Sequence, residues 1–294
     1  SFLCVLAVAL FFTMNMNLGI DFRGGSMMEV QARGQQADVA DVRGRLTDLN
    51  FGEVQVQEFG SPRELLIRIG AQGDEASEQQ VIQQVRTTLE ADYEFRRVEV
   101  VGPTISAELA RAGTIAVIAA LLAMLVYIWL RFEWQFAVGA VIATLHDVVL
   151  VIGFYVILGL EFNLASIAAV LTVVGYSIND TVVVYDRVRE NLRKYKKMPI
   201  DTLIDLTVNQ TLSRTILTGV TTLLALIALY MFGGEVIASF TLAMIFGIIV
   251  GTYSSIYVAG PLLILFNLRP GKLGEDMDKA AADAAAVPAE PTKA

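Results

Sequence analysis

The sequence predicts a polytopic α-helical membrane protein with six spans and one α+β domain inserted between the first and second. Three observations carry this. Of 294 residues, 55% are hydrophobic and only 18% charged, with positive mean hydropathy, which is too apolar for an ordinary soluble domain. Apolar runs of the length that crosses a hydrocarbon core, roughly 17 to 25 residues, fall at 2 to 18, 114 to 130, 136 to 158, 164 to 185, 211 to 232 and 236 to 266. Between the first two runs the pattern turns soluble, with strand and helix periods alternating.

Taken in order, the first run has no basic flank and no small-x-small cleavage site. Thr13 to Leu18 therefore reads as membrane exit rather than signal-peptide processing. The chain starts at Ser1 without methionine, so the first span is expected to be truncated. The expected division is 1–18 for that span, 19–111 for the outer domain, 112–268 for spans two to six and 269–294 for a disordered tail. Within the outer domain, Met28, Val30 and Ala32 alternate with Glu29, Gln31 and Arg33, as in a half-buried strand. Val39, Val42, Leu46 and Leu49 recur at helical spacing, and Val54, Val56, Leu65, Ile67 and Ile69 alternate across a Gly60-Ser61-Pro62 turn. Val81, Val85 and Leu89 mark a second helix, Val98 and Val100 a last strand. The order βαββαβ predicts a ferredoxin-like domain.

Nothing in this domain has the spacing of a nucleophile or metal site, which favours a binding or docking module over an enzyme. GIDFRGG, Gly19 to Gly25, lacks the lysine and Ser/Thr of a phosphate loop and precedes a strand. Gly19, Asp21, Gly24 and Gly25 are instead expected to shape the turn from span one into the sheet. Cys4 is the only cysteine, so no intrachain disulfide forms and no cysteine metal site is indicated. No cofactor is expected. The tail from Gly274, rich in Ala, Asp, Glu and Pro, has the composition of a disordered segment, and the net charge of -8 says little about partners.

Lysine and arginine in short loops set orientation. Arg131, the run Arg187, Arg189, Arg193, Lys194, Lys196 and Lys197, and Arg269 with Lys272 mark cytoplasmic segments. The loops at Gly159 to Asn163 and Gly233 to Glu235 carry no basic residue. Both termini are thus expected in the cytoplasm and the α+β domain outside.

The spans carry ionisable groups, and an aspartate near the bilayer centre costs about 2.5 to 3.5 kcal/mol on insertion scales. At 100° per residue, Tyr176, Ser177, Asp180 and Arg187 share a narrow sector of span four, whereas Asn179 points roughly 100° away. Asp180 precedes Arg187 by seven residues, about 10 Å along the axis, and so lies inside the cytoplasmic half of the membrane. On span five Arg214, Thr218 and Thr221 share a face. The two spans run antiparallel, which makes an Asp180–Arg214 pair geometrically reasonable. Span three adds His146 and Asp147. Each has a plainer explanation: a charge pair can simply fix helix register, threonine stripes hydrogen-bond between helices, and His146 can be a neutral ring on a carbonyl. Gly247 and Gly251 form a small-xxx-small pair for close helix packing.

These motifs together carry a family resemblance. GIDFRGG, VVGPTISAEL, LHD, GYSINDTVVVYDRVREN, NQTLSRTILTG and GTYSSIYVAGPLL, in that order over about Gly19 to Leu268, resemble the SecF family, the smaller membrane subunits of bacterial SecDF complexes. The resemblance implies a six-span half-bundle that pairs with SecD into a twelve-span, RND-type arrangement in the bacterial inner membrane. It implies assistance to the SecYEG channel, with the proton-motive force completing export of a translocating preprotein. The family's span-four aspartate maps to Asp180 and its span-five arginine to Arg214, both in its proposed proton path. Two other functions fit the same bundle chemistry: an RND-type exporter of lipids or small molecules, and a passive scaffold subunit. The basic run 187–197 suits anionic membrane lipid or SecYEG, and without aromatic interleaving it offers no nucleic-acid platform.

Overall fold

The computed structural model describes residues 2–14, 16–34, 36–73 and 75–266. The expected disordered tail, with Arg269 and Lys272, lies outside them. Among the described residues, five helices are long and apolar enough to cross a membrane. These are α5 (Pro103–Arg131), α6 (Trp134–Leu158), α7 (Leu164–Lys194), α8 (Ile200–Phe232) and the last span, which runs as α9 (Ala238–Ser254), a π-helical turn (Ser255–Ala259) and α10 (Gly260–Leu265).

The first expected span differs. Helix α1 (Phe2–Thr13) has 12 residues, about 18 Å at 1.5 Å per residue, against a core of about 30 Å. It ends at Thr13 rather than Leu18, and the chain beyond it pairs elsewhere: Phe162 N donates to Asn17 O (2.8 Å) and Gly19 N to Phe162 O (2.9 Å).

Helices α5, α7 and α8 outrun their apolar stretches, since hydrophobicity marks only the length in hydrocarbon and helical hydrogen bonding continues beyond it. Pro103 opens α5, where its missing N–H costs nothing. Arg193 and Lys194 close α7 and Asp201 opens α8, each matching the sign of the helix dipole. Pro261 does not break the last span. The π turn just before it widens the helix where the proline ring would meet the carbonyl four residues back.

Two compact units divide the chain. One comprises Ser1–Leu121, Ile152–Leu171 and Leu226–Met244, and contains a four-stranded sheet. After the short helix α2 (Ile20–Arg23) come β1 (Gly25–Ala32), α3 (Val39–Thr47), β2 (Val54–Phe59), β3 (Ser61–Ile69), α4 (Glu75–Leu89) and β4 (Tyr93–Val101). The sheet order is β2-β3-β1-β4, antiparallel throughout, with Ser26 opposite both Ile69 and Val100. Met28, Val30, Leu65, Ile67 and Ile69 are buried on one face with Val42 and Leu46 of α3 and Val81, Val85 and Leu89 of α4. Gly24 and Gly25, at φ 72° and 115°, make the entry to β1. A Cβ on Gly25 would collide with the backbone of Ile69 and Gly70, so no other residue fits.

The second unit comprises Leu122–Val151, Thr172–Ala225 and the stretch from Ile245 onward. It contains Asp147, Asp180 and Arg214. Asn191 at the end of α7 is 2% exposed and donates to Thr207 Oγ1 (2.8 Å) and Gln210 Oε1 (2.9 Å) of α8, joining the two helices beyond their apolar parts.

Within the sheet unit Glu78 is fully buried and accepts from Ser26 Oγ (2.7 Å) and Gln72 N (2.6 Å). Replacing it by alanine strands both donors, so Glu78→Ala should lower stability by about 2–3 kcal/mol, read as a drop in the unfolding midpoint, with Ser26→Ala costing less.

Candidate functional site

Two carboxylates sit in the second unit where water is scarce, Asp147 fully buried and Asp180 8% exposed. Each meets hydroxyls. Asp180, on α7, accepts from Thr215 Oγ1 of α8 at 2.7 Å and from Ser255 Oγ at the start of the π turn. Asp147, on α6, accepts at Oδ2 from Ser254 Oγ at 2.6 Å and from Ser177 Oγ of α7, and its Oδ1 lies 3.0 Å from His146 Nδ1.

The backbone makes this possible. A Cβ on Gly247 would run into the Val173 side chain, and one on Gly251 would lie 3.1 Å from Ser177 Cβ. The small-xxx-small pair therefore lets α9 approach α7 within reach of the carboxylates. Tyr176 of α7 lies near Thr252 of α9 and Thr222 of α8 in the same layer.

Several expected site residues stand apart from the carboxylates. Arg214 is exposed, and among the described residues no ion pair joins it to Asp180. Thr215, the next residue, takes the place expected of it, because one step along a helix turns a side chain by 100°. Thr218 and Thr221 are exposed and bond back to the carbonyls of Arg214 and Leu217 on their own helix. Asn179 is exposed. Ser177, one turn before Asp180, serves Asp147 instead. The partners missed in the sequence were Thr215, Ser254 and Ser255. The doublet Ser254-Ser255 inside an apolar run was the available signal.

An ionised carboxylate only accepts hydrogen bonds, while a protonated one also donates. Hydroxyls can answer either state, so the layer is suited to holding a carboxyl whose protonation changes. Among the described residues no group of three or more His, Cys, Asp or Glu is placed to bind a metal ion.

A second constellation lies in the sheet unit, around GIDFRGG. Asp21 Oδ2 accepts from Leu164 N at 2.9 Å, serving one of the open donors at the start of α7. Gly19 bonds to Phe162, and Asn17 Nδ2 donates to Gly159 O at 3.0 Å. Arg68 of β3, 8% exposed, forms an ion pair with Glu161. The turn thus ties the sheet to the loop between α6 and α7. A cleft of about 350 Å³ beside it is lined by Met27, Leu66, Arg68, Glu161, Tyr230 and Phe240, among others.

Residues 80–269 match the family described as "Protein export membrane protein SecD/SecF, C-terminal", and residues 9–35 match the "SecD/SecF GG Motif". The chain belongs to the SecD/SecF family. It is 50% identical over 257 residues to the "Protein translocase subunit SecF" of Rickettsia akari, covering 86% of this chain and 83% of that one. It is 54% identical over 269 residues to the "Protein translocase subunit SecDF" of Brucella abortus, covering 91% of this chain but 35% of the relative. The chain thus spans about a third of that SecDF. A crystal structure of SecDF, a translocon-associated membrane protein from Thermus thermophilus, superposes with a TM-score of 0.82 at 38% identity, covering 90% of this chain and 36% of that one. A second SecDF structure, in a super-membrane-facing form, gives a TM-score of 0.65 at 36% identity over 97% of this chain and 38% of that one. The SecD/SecF GG motif includes the Gly24-Gly25 entry to β1 and the Asp21 contact to α7.

Burial holds the Glu161 carboxyl above its ordinary 4.5, with the Arg68 guanidinium pulling the other way. A carboxyl whose pKa is higher folded than unfolded binds more protons in the folded state, so its contribution to stability falls as pH rises above that ordinary value. Glu161→Gln should flatten the decline of the unfolding midpoint as pH rises above about 4.5, measured against the unsubstituted protein; an unchanged slope would remove Glu161 as its source.

Proposed function

We propose that this chain is a SecF-type subunit that works with SecD to assist SecYEG-dependent export of preproteins, drawing on the proton-motive force. The observation that carries the reading is the pair of buried carboxylates held by hydroxyls inside apolar spans, in a chain of the SecD/SecF family. Asp180 is the principal proton-bearing group, Asp147 with His146 a neighbouring one. Arg214 is a cation available to Asp180 in another packing of α7 and α8. Tyr176, Ser177, Thr218 and Thr221 give the surroundings their polarity.

The proposed architecture is a six-span, RND-type half-bundle in the bacterial inner membrane, with both termini in the cytoplasm and a ferredoxin-like domain outside. The sheet order β2-β3-β1-β4 with two helices on one face supports the domain's type. The basic residues at the ends of α5 and α7, against a loop at 159–163 without any, support the orientation. Only 6% and 17% of the most apolar stretches of α5 and α8 are buried, against 44% in α6 and α7. Those faces leave room for lipid and for SecD.

In the proposed cycle, protonation of Asp180 removes a buried charge and shifts the bundle between two packings, while the outer domain holds or releases an emerging preprotein. A potential of 100 mV supplies about 2.3 kcal/mol per charge, and turning a 1:99 population into 99:1 takes about 5.5 kcal/mol. More than one proton per cycle follows at ordinary potentials.

Asp180→Asn keeps the size and the bond to Thr215 but cannot take up a proton. It should abolish the proton-dependent part of export in inverted membrane vesicles while the subunit still copurifies with SecD. Undiminished export in that variant would rule the mechanism out.

A further inference from the structure

Ser254 and Ser255 are adjacent, and each hydroxyl has two acceptors within reach. Ser254 Oγ lies 2.6 Å from Asp147 Oδ2 and 3.1 Å from the Gly251 carbonyl; Ser255 Oγ meets Asp180 Oδ2 and lies 3.0 Å from the Thr252 carbonyl. A serine hydroxyl has one hydrogen and two lone pairs. It cannot serve both acceptors at once, but it can serve them in turn.

We propose that the Ser254-Ser255 pair is a two-position hydroxyl switch that lets Asp147 and Asp180 change protonation in place and makes the two carboxyls titrate as one unit. This rests on reading Asp180 as a proton-bearing group. With Asp180 ionised, Ser255 donates to it. When a proton binds Asp180, the carboxyl O–H donates to Ser255 Oγ, and the serine turns its own hydrogen to the Thr252 carbonyl. Ser254 does the same between Asp147 and Gly251. No proton passes through either serine, so both are positioning residues, and the carboxyls are never left buried without a partner, which would cost about 1–3 kcal/mol or more.

Coupling follows from covalent adjacency. The two hydroxyls are one peptide apart, at the junction where α9 opens into the π turn. Such turns replace i→i+4 bonds with i→i+5 bonds and are frequent at functional sites. Turning one hydroxyl reorients a bond dipole one peptide away from the other in a layer of low dielectric, so the state of one carboxyl biases that of the other. The other titratable groups near the pair are His146 on α6, with Tyr253 of α9 6.4 Å from its ring, and Tyr176 on α7. Arg214 of α8 is exposed beside Thr215, and Tyr185 is turned to the Ala259 carbonyl at 3.1 Å.

The test is a double-mutant cycle on protonation, read by the infrared carboxyl stretch of the full-length protein in lipid across a pH series. Asp147→Asn should move the titration midpoint of the remaining Asp180 band by about one pH unit or more. In the Ser254→Ala/Ser255→Ala background the same change should move it by roughly half as much or less. The Ser254→Thr/Ser255→Thr variant, which keeps both hydroxyls, should restore the full shift. Equal shifts in the serine and alanine backgrounds, or none with the serines present, would overturn the proposal. Export by Asp180→Asn, assayed in parallel, separates the outcomes: undiminished export defeats the proton-driven reading and leaves the coupling result standing on its own.

Discussion

A carboxylate in an apolar layer has to be answered by hydrogen-bond donors, and much of the second unit is arranged around that need. Four helices contribute to it. Asp147 and Asp180 come from α6 and α7, and their donors from α7, α8 and the junction of α9 with the π turn. The donors are short hydroxyls, which demand that helix axes come close, and closeness in turn demands small residues at the crossing. Gly247 and Gly251 meet that demand against Val173 and Ser177. A polar requirement at two oxygen-rich points thus propagates into a steric requirement along a whole helix face.

Neutral donors have a further property here. A fixed cation beside Asp180 would favour one protonation state strongly, as opposite charges within a few ångströms do. Hydroxyls favour the ionised state more gently and remain useful after protonation. Arg214 is exposed and is absent from the Asp180 contacts, which are hydroxyls of Thr215 and Ser255.

Much of this was legible from residue order. Period-two alternation in Met28 to Ala32 and helical spacing in Val81 to Leu89 correspond to buried positions in β1 and α4, because a single buried face imposes its period on a short element. The large apolar runs correspond to α5 through the last span for the same reason. Helix lengths were less legible: α8 begins eleven residues before its apolar run, where Leu203 and Ile204 are buried and Thr207 and Gln210 accept from Asn191 of α7. Charge suggests charge, and so the sequence points to Arg214, whereas Thr215 makes the contact to Asp180 in this structure. Arg214 and Thr215 are neighbours, and a 100° rotation separated the residue that attracted attention from the one in contact. That Ser177 serves Asp147 and not Asp180 depends on how three helices cross, which no periodicity within one helix contains.

The tie between Arg68 and Glu161 bears on how the sheet is studied in isolation. Leu65, Ile67 and Ile69 turn toward α3 and α4, while Leu66 and Arg68 occupy the opposite face of β3 and line the cleft against the 159–163 loop. An excised fragment beginning at the Gly24-Gly25 entry and ending after β4 would keep its core but lose Asn17 and Glu161. Its open face would then present a bare guanidinium beside Leu66 and Met27, an adhesive surface manufactured by the cut, and self-association of such a fragment would report on the scissors rather than on the protein.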